Sequence, residues 1–245
     1  MKMNWFLRGL VAGVRTERLP GNDAVALGLS PGLPTRTTLG SSSEADAVAG
    51  VCPTRALEPD GATIRVAKGR CVDCMRCART DPPQNWRHDV RWAELAESRE
   101  LLPKSFARSI HVRIVDAGDC GSCLNELALL NGPSYNLHRF GIFITPTPRQ
   151  ADVLLVVGPM TAHMQAPLRA AYDAMPAPKR VVAVGACATT GGLFGPSVMC
   201  DAGVGGVVPV DIAVPGCPPP PLVLIDALRT ICGQAEPGTR AGAMS

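Results

Sequence analysis

From Ser109 onward, short apolar runs alternate with glycine turns and stretches of helical periodicity. This pattern predicts strands over residues 110–115, 153–157, 181–184 and around 207–214, and helices over 122–130, 166–174 and 221–231. Strands alternating with helices build βαβ units, so the expected architecture is α/β, a mostly parallel sheet with helices on both faces in flavodoxin-like fashion. The runs 153–157 and 181–184 are continuously apolar, as befits strands covered on both sides. In such sheets, sites gather beyond the carboxyl ends of the strands.

The upstream half reads differently. In residues 1–20, Trp5, Phe6, Leu7, Leu10, Val11 and Val14 line one side of a possible helix, with Arg8 and Arg15 toward the other. Two readings stay open there, a docking arm and an ordinary frayed terminus. Residues 21–49 are rich in Gly, Ser, Thr and Pro and suit a linker. Residues 50–80 are dense in cysteine, and 81–107 mix charges with Trp86 and Trp92, with a short connecting helix expected over 93–99. The expected units are a docking arm and linker (1–35), a small cysteine-bearing module (36–104), the α/β domain (105–235) and a tail (236–245).

Composition narrows the function. The chain has 245 residues, 46% hydrophobic and 18% charged, which supports a buried core; only 4% are aromatic. With 24 basic against 21 acidic residues the net charge is +3, which makes no case for nucleic acid as a partner. The longest apolar runs, 151–160 and 181–188, fall far short of the roughly 18 residues that span a bilayer. No signal-peptide pattern is seen, so the chain is expected in the cytosol or against the inner face of a membrane. Ten cysteines in such a compartment point to metal or redox chemistry rather than disulfides.

Cys71, Cys74 and Cys77 form a C-x2-C-x2-C run, and Cys52-Pro53 lies 19 residues upstream of Cys71. Bacterial ferredoxins use C-x2-C-x2-C-x3-C-P, with the fourth Cys serving the other cluster. Two-residue gaps wrap the backbone around a corner of a cubane cage, and the remote Cys-Pro closes the fourth corner. The segment thus resembles a ferredoxin-like α+β module that keeps one [4Fe–4S] cluster, on Cys52, Cys71, Cys74 and Cys77. The position where a second Cys-Pro belongs reads Asp81-Pro82. A structural zinc site and unpaired buried thiols are the alternatives, although zinc modules usually show two C-x2-C pairs or added histidines. Arg55, Lys68, Arg70, Arg76 and Arg79 surround the run and read as a solvated face.

Four further cysteines fall in the α/β half: Cys120 and Cys123 after the first strand, Cys187 after the 181–184 strand, and Cys217 after the strand ending near Val214. A parallel sheet gathers such loops at one edge. Gly121, Gly185 and Gly216 beside them leave room near the backbone.

The segments Asp116-Ala-Gly-Asp-Cys120-Gly-Ser-Cys123-Leu-Asn-Glu126, His138-Arg-Phe-Gly141, Pro148 to Pro159, Gly185-Ala-Cys187, Val208-Pro-Val-Asp211 and Pro215-Gly-Cys217-Pro-Pro occur in order. Over residues 108–232 the chain resembles the family joining the 20-kDa subunit of respiratory complex I and the small subunit of membrane-bound [NiFe] hydrogenases. The resemblance implies that Cys120, Cys123, Cys187 and Cys217 ligate a second [4Fe–4S] cluster, the one nearest a catalytic large subunit. It also implies partner iron–sulfur or membrane subunits and no catalytic residue in this chain. Complex I subunits usually carry adjacent cysteines at the first position and hydrogenase-type subunits a C-x2-C pair. Cys120 and Cys123 therefore tilt the resemblance toward the formate hydrogenlyase and hydrogenase-4 group. Glu126 matches a family acidic position and shares a helix face with Cys123, either to tune the cluster or simply as a carboxylate favoured near a helix N-terminus.

The expected function is an electron-relay subunit of a hydrogenase-like complex, with a complex I-like quinone-reducing subunit and a zinc-stabilised scaffold as alternatives. Cys200 and Cys232 lack spacing partners and read as non-ligands, and His138 and His163 as structural or surface residues.

Overall fold

The computed structural model describes residues 4–13, 16, 33–34, 37–81, 83–87, 94–95 and 101–234. Val14, Arg15, residues 21–32 and the 236–245 tail lie outside the described residues. Helix α1 (Trp5–Ala12) is started by Asn4, whose Oδ1 accepts from the Phe6 amide, and ends at Gly13 with φ 62°. It buries none of its residues, so Trp5, Phe6, Leu7, Leu10 and Val11 all stand exposed.

The small module is α+β. Strands β1 (Leu33–Pro34) and β2 (Thr37–Thr38) lead to α2 (Ser42–Gly50), and β3 (Leu57–Asp60) and β4 (Thr63–Val66) follow as a hairpin. Strand β4 lies between β2 and β3, antiparallel to both, and β1 pairs with β5 (Trp86–Arg87). Residues 42–49, read from composition as the end of a linker, instead belong to helix α2, because a cap starts it and burial of Ala45 and Val48 holds it. The Ser41 hydroxyl accepts from the Glu44 amide, while the Glu44 carboxylate accepts from the Gly40 amide, a reciprocal cap. Ala45, Val48, Leu57 and Ile64 close a small core against Cys77.

The larger sheet takes β6 (Glu94–Leu95), β7 (Ile110–Asp116), β8 (Ile142–Ile144), β9 (Val153–Val157), β10 (Arg180–Val184) and β11 (Ile212–Val214), in the order β6-β11-β10-β9-β7-β8. Only β6 is antiparallel. Counted from β7, the parallel strands run 2-1-3-4-5, the doubly wound flavodoxin-like order the pattern predicts. Helices α3 (Ser122–Leu129) and α6 (Pro221–Ile231) pack on one face, and α4 (Gln165–Asp173) on the other. Strand β9 shows the period of two that lies beneath its apolar run. Val153, Leu155 and Val157 join Leu127 and Leu228, while Leu154 and Val156 join Leu168 and Met175.

Three further expectations are corrected. Residues 94–95 form an edge strand rather than part of a helix over 93–99, because pairing with Ile212 and Ala213 satisfies the open edge of β11. The strand around 207–214 shrinks to Ile212–Val214. Val204 and Val208, four apart and both buried, are drawn into one cluster by a helical turn, with the Val208 amide on the Val204 carbonyl. Strand β8 and the six-residue helix α5 (Gly185–Thr190) were not anticipated, since each is too short to display a period.

Candidate metal centre

Strand register builds the main site. Asp116 pairs with Val157, Val157 with Val184, and Val184 with Val214, so four strands end in line. The loops leaving those ends carry Cys120, Cys187 in the first turn of α5, and Cys217; Cys123 sits in the first turn of α3. Two carboxylates shape the first loop. Asp116 Oδ1 accepts from the amides of Gly118 (2.8 Å) and Asp119 (2.6 Å). Asp119 Oδ2 accepts from the amides of Gly121 (2.9 Å) and Leu124 (3.2 Å), which supplies the start of α3 with acceptors. The Ala186 amide donates to the Gly216 carbonyl at 2.8 Å and ties the Cys187 and Cys217 loops together.

The four thiols lie in one another's electrostatic fields. Burial pushes the Cys187 thiol up to about 11, with Cys217, Cys120 and Asp119 adding to the rise and the Leu193 amide opposing it. Burial pushes Cys123 up further, reinforced by Asp119 and the other three cysteines. Thiolate ligands must lose their protons to bind metal, so assembly here releases protons and weakens as pH falls. One expected outcome follows for metal-free protein. Cys120 and Cys217, which are exposed, alkylate faster than the buried Cys123 and Cys187, and the Cys187 rate climbs only as pH approaches 11. Peptide mapping of the labelled sites checks this; equal rates at all four would refute the protected environment.

The backbone leaves space beside the buried sulfurs. A Cβ on Gly185 would sit 2.9 Å from Cys123 Sγ, and one on Gly192 only 2.8 Å from Cys187 Sγ. Both glycines have positive φ, 84° and 55°. A cradle that any side chain would fill, edged by four thiols, suits a bulky sulfur-ligated group.

The first quartet rests on the small module. Helix α2 ends at Gly50 and delivers Cys52, whose Sγ accepts from the Ala56 amide at 3.2 Å. Cys52, Cys71, Cys74 and Cys77 line an open recess of about 310 Å³ together with Thr54, Met75 and Trp86. Asp73 and Met75, inside the C-x2-C-x2-C run, hold φ of 56° and 57°. Left-handed conformations cost non-glycine residues about 1–2 kcal/mol each. They turn successive amides to one side, the concave geometry found around phosphates and Fe–S clusters. Burial pushes the Cys77 thiol up, the Trp86 indole opposes that, and Cys52 and Cys74 add to it. Arg55, Lys68, Arg70, Arg76 and Arg79 are exposed, and Arg70 pairs with Glu58 at 3.1 Å.

A contact between elements that carry the two quartets brings them together. The turn Lys68–Arg70 packs on α5, where a Cβ on Gly69 would meet Thr189 Cγ2 at 3.6 Å. Cys71 follows that turn directly, and α5 carries Cys187.

Among the described residues, no three Cys, His, Asp or Glu side chains converge closely enough to hold one metal ion. Cys232 is buried in the core with its thiol donating to the Arg229 carbonyl, and Cys200 bridges to Thr161. His138 stacks on Phe143 at 5.2 Å, and His163 is exposed. Glu126 is half-buried in α3, one turn beyond Cys123. Asp119, Gly192 and Trp86 had no assigned role from sequence. Asp119 stands within the quoted motif, but nothing in the sequence marks the other two.

Residues 120–231 match the family model described as NADH ubiquinone oxidoreductase, 20 Kd subunit. Formate hydrogenlyase subunit 7 of Escherichia coli is 36% identical over 142 residues, 58% of this chain and 56% of that protein. The probable membrane-bound hydrogenase subunit mbhJ of Pyrococcus furiosus is 40% identical over 124 residues, 51% of this chain and 74% of that protein. An NADH-quinone oxidoreductase subunit of a Nocardioides species is 47% identical over 122 residues, 49% of this chain and 65% of that protein.

Proposed function

Because the chain belongs to the NADH ubiquinone oxidoreductase 20-kDa subunit family, an oxidoreductase family, we propose that it is an electron-relay subunit of a [NiFe]-hydrogenase-like complex of the formate hydrogenlyase type. In this reading Cys52, Cys71, Cys74 and Cys77 hold one [4Fe–4S] cluster, and Cys120, Cys123, Cys187 and Cys217 hold a second. When bound, such clusters supply one-electron carriers whose potentials follow charge, hydrogen bonds to sulfur and burial. The chain's own residues hold the sulfurs, exclude water and fix the spacing. The Gly69–α5 contact keeps the quartets adjacent, and Asp116 and Asp119 hold the Cys120 loop in shape. The observation that carries the reading is the convergence of Cys120, Cys123, Cys187 and Cys217 beyond strand ends that finish in line.

The catalytic centre belongs to a partner large subunit facing the second quartet. Leu193, Phe194, Val198 and Met199, all exposed in the loop after α5, supply an apolar surface for it. Further iron–sulfur or membrane subunits complete the assembly. Glu126 is placed to tune the second cluster. Among the described residues no helix is long and apolar enough to cross a membrane. The relative named a probable membrane-bound hydrogenase subunit supports a peripheral position on a membrane, which in this reading is the inner face.

Anaerobically purified protein should contain about eight iron atoms and as many acid-labile sulfides per chain, for two cubane cages. A colourless product with zinc and no sulfide would overturn the proposal. The quinone-reducing alternative draws on the 47% identity to the Nocardioides protein. Nickel in the co-purified large subunit decides between the two: present for a hydrogenase, absent for a quinone reductase.

A further inference from the structure

Trp86 lies in β5, and its indole enters the recess of the first quartet. Indole nitrogen is a donor only and normally finds an acceptor when buried. Trp86 Nε1 is buried yet makes no hydrogen bond of good geometry to any described N, O or S atom. Cys77 lines the same recess, and Trp86 packs against the small core in which Cys77 is the buried cysteine. The two are held in place from both sides. The Gln84 amide (2.9 Å) and the Thr80 hydroxyl (2.8 Å) both donate to the Cys77 carbonyl, while β5 pairs with β1 through Trp86 and Pro34.

We propose that the Trp86 indole N–H is a donor reserved for the Cys77 sulfur and that it sets the reduction potential of the first cluster. The inference rests on the two-cluster reading above. On reduction one electron enters the cage from an external low-potential donor, dithionite in the experiment, and no bond is made or broken. A donor on the sulfur stabilises the more negative, reduced state more than the oxidised one, and so raises the potential. Trp86 therefore acts as a positioning and tuning residue, with no part in the partner's chemistry.

Trp86→Phe keeps a ring in the recess and removes the N–H. Redox titration followed by EPR should show the first centre harder to reduce. Its reduced-to-oxidised ratio at a fixed poise should fall about tenfold, equivalent to 59 mV for one electron. The second centre and the iron content should not change. An unchanged midpoint with full iron would overturn the assignment. A second measurement uses the unaltered holoprotein with nitrogen-15 in its tryptophan indoles. Pulsed EPR of the reduced first centre should then show coupling to one indole nitrogen, and its absence would refute the hydrogen bond. Failure of the underlying reading is distinguishable, because the unaltered protein would then lack the first centre altogether.

Discussion

Cys187→Ser, purified without oxygen, should keep about four of about eight iron atoms and lose one of two EPR centres, with the other unchanged. Cys187 sits in the first turn of α5 at 8% exposure, and Cys217 and Cys120 are the cysteines that act on it most strongly. A serine oxygen is a harder and far less acidic donor than a thiolate, so the remaining three sulfurs would hold a cage poorly. The Cys52 quartet rests on a separate core of Ala45, Val48, Leu57 and Ile64, and has no reason to follow. Both signals surviving at full strength would exclude Cys187 as a ligand. Both vanishing would mean the two quartets do not load independently.

Gly158→Ala is expected to do comparable damage from outside the sulfur shell. Gly158 follows β9 with φ 83°, and a Cβ there would overlap the Asp119 amide nitrogen and sit 2.7 Å from the Asp119 Cα. Both obstacles are backbone, so no side chain can swing aside. The left-handed conformation costs alanine about 1–2 kcal/mol. The overlap adds to that by driving Asp119 away from the amides of Gly121 and Leu124. The Cys120–Cys123 loop then loses its shape. The variant should unfold at lower denaturant and retain the first centre while losing the second. Wild-type stability together with both centres would show that the loop is more compliant than its contacts imply.

Much of this architecture was legible in the sequence, for particular reasons. Strand β9 matched its apolar run because both its faces are buried, and α6 matched because Pro221 opens it and nearly all its residues are buried. The spacing of Cys71, Cys74 and Cys77 marked the first group, whereas Cys120, Cys123, Cys187 and Cys217 were grouped by their places after strand ends and by the family resemblance. What escaped was long-range or short. Residues 94–95 became strand only because β11 offered an unpaired edge 117 positions later in the chain (Leu95 to Ile212, 212 minus 95). Helix α5 has six residues of small side chains and no repeat to read. Trp86 looked like one aromatic in a charged segment, since nothing local tells which sulfur a ring will face after folding.

The seat of residues 68–70 on α5 has a kinetic corollary. If both sets of thiols hold clusters as proposed, a hop between them on one polypeptide needs no collision and follows first-order kinetics. Dilution should leave its rate constant untouched, whereas carriers encoded on separate chains would slow as they were diluted apart.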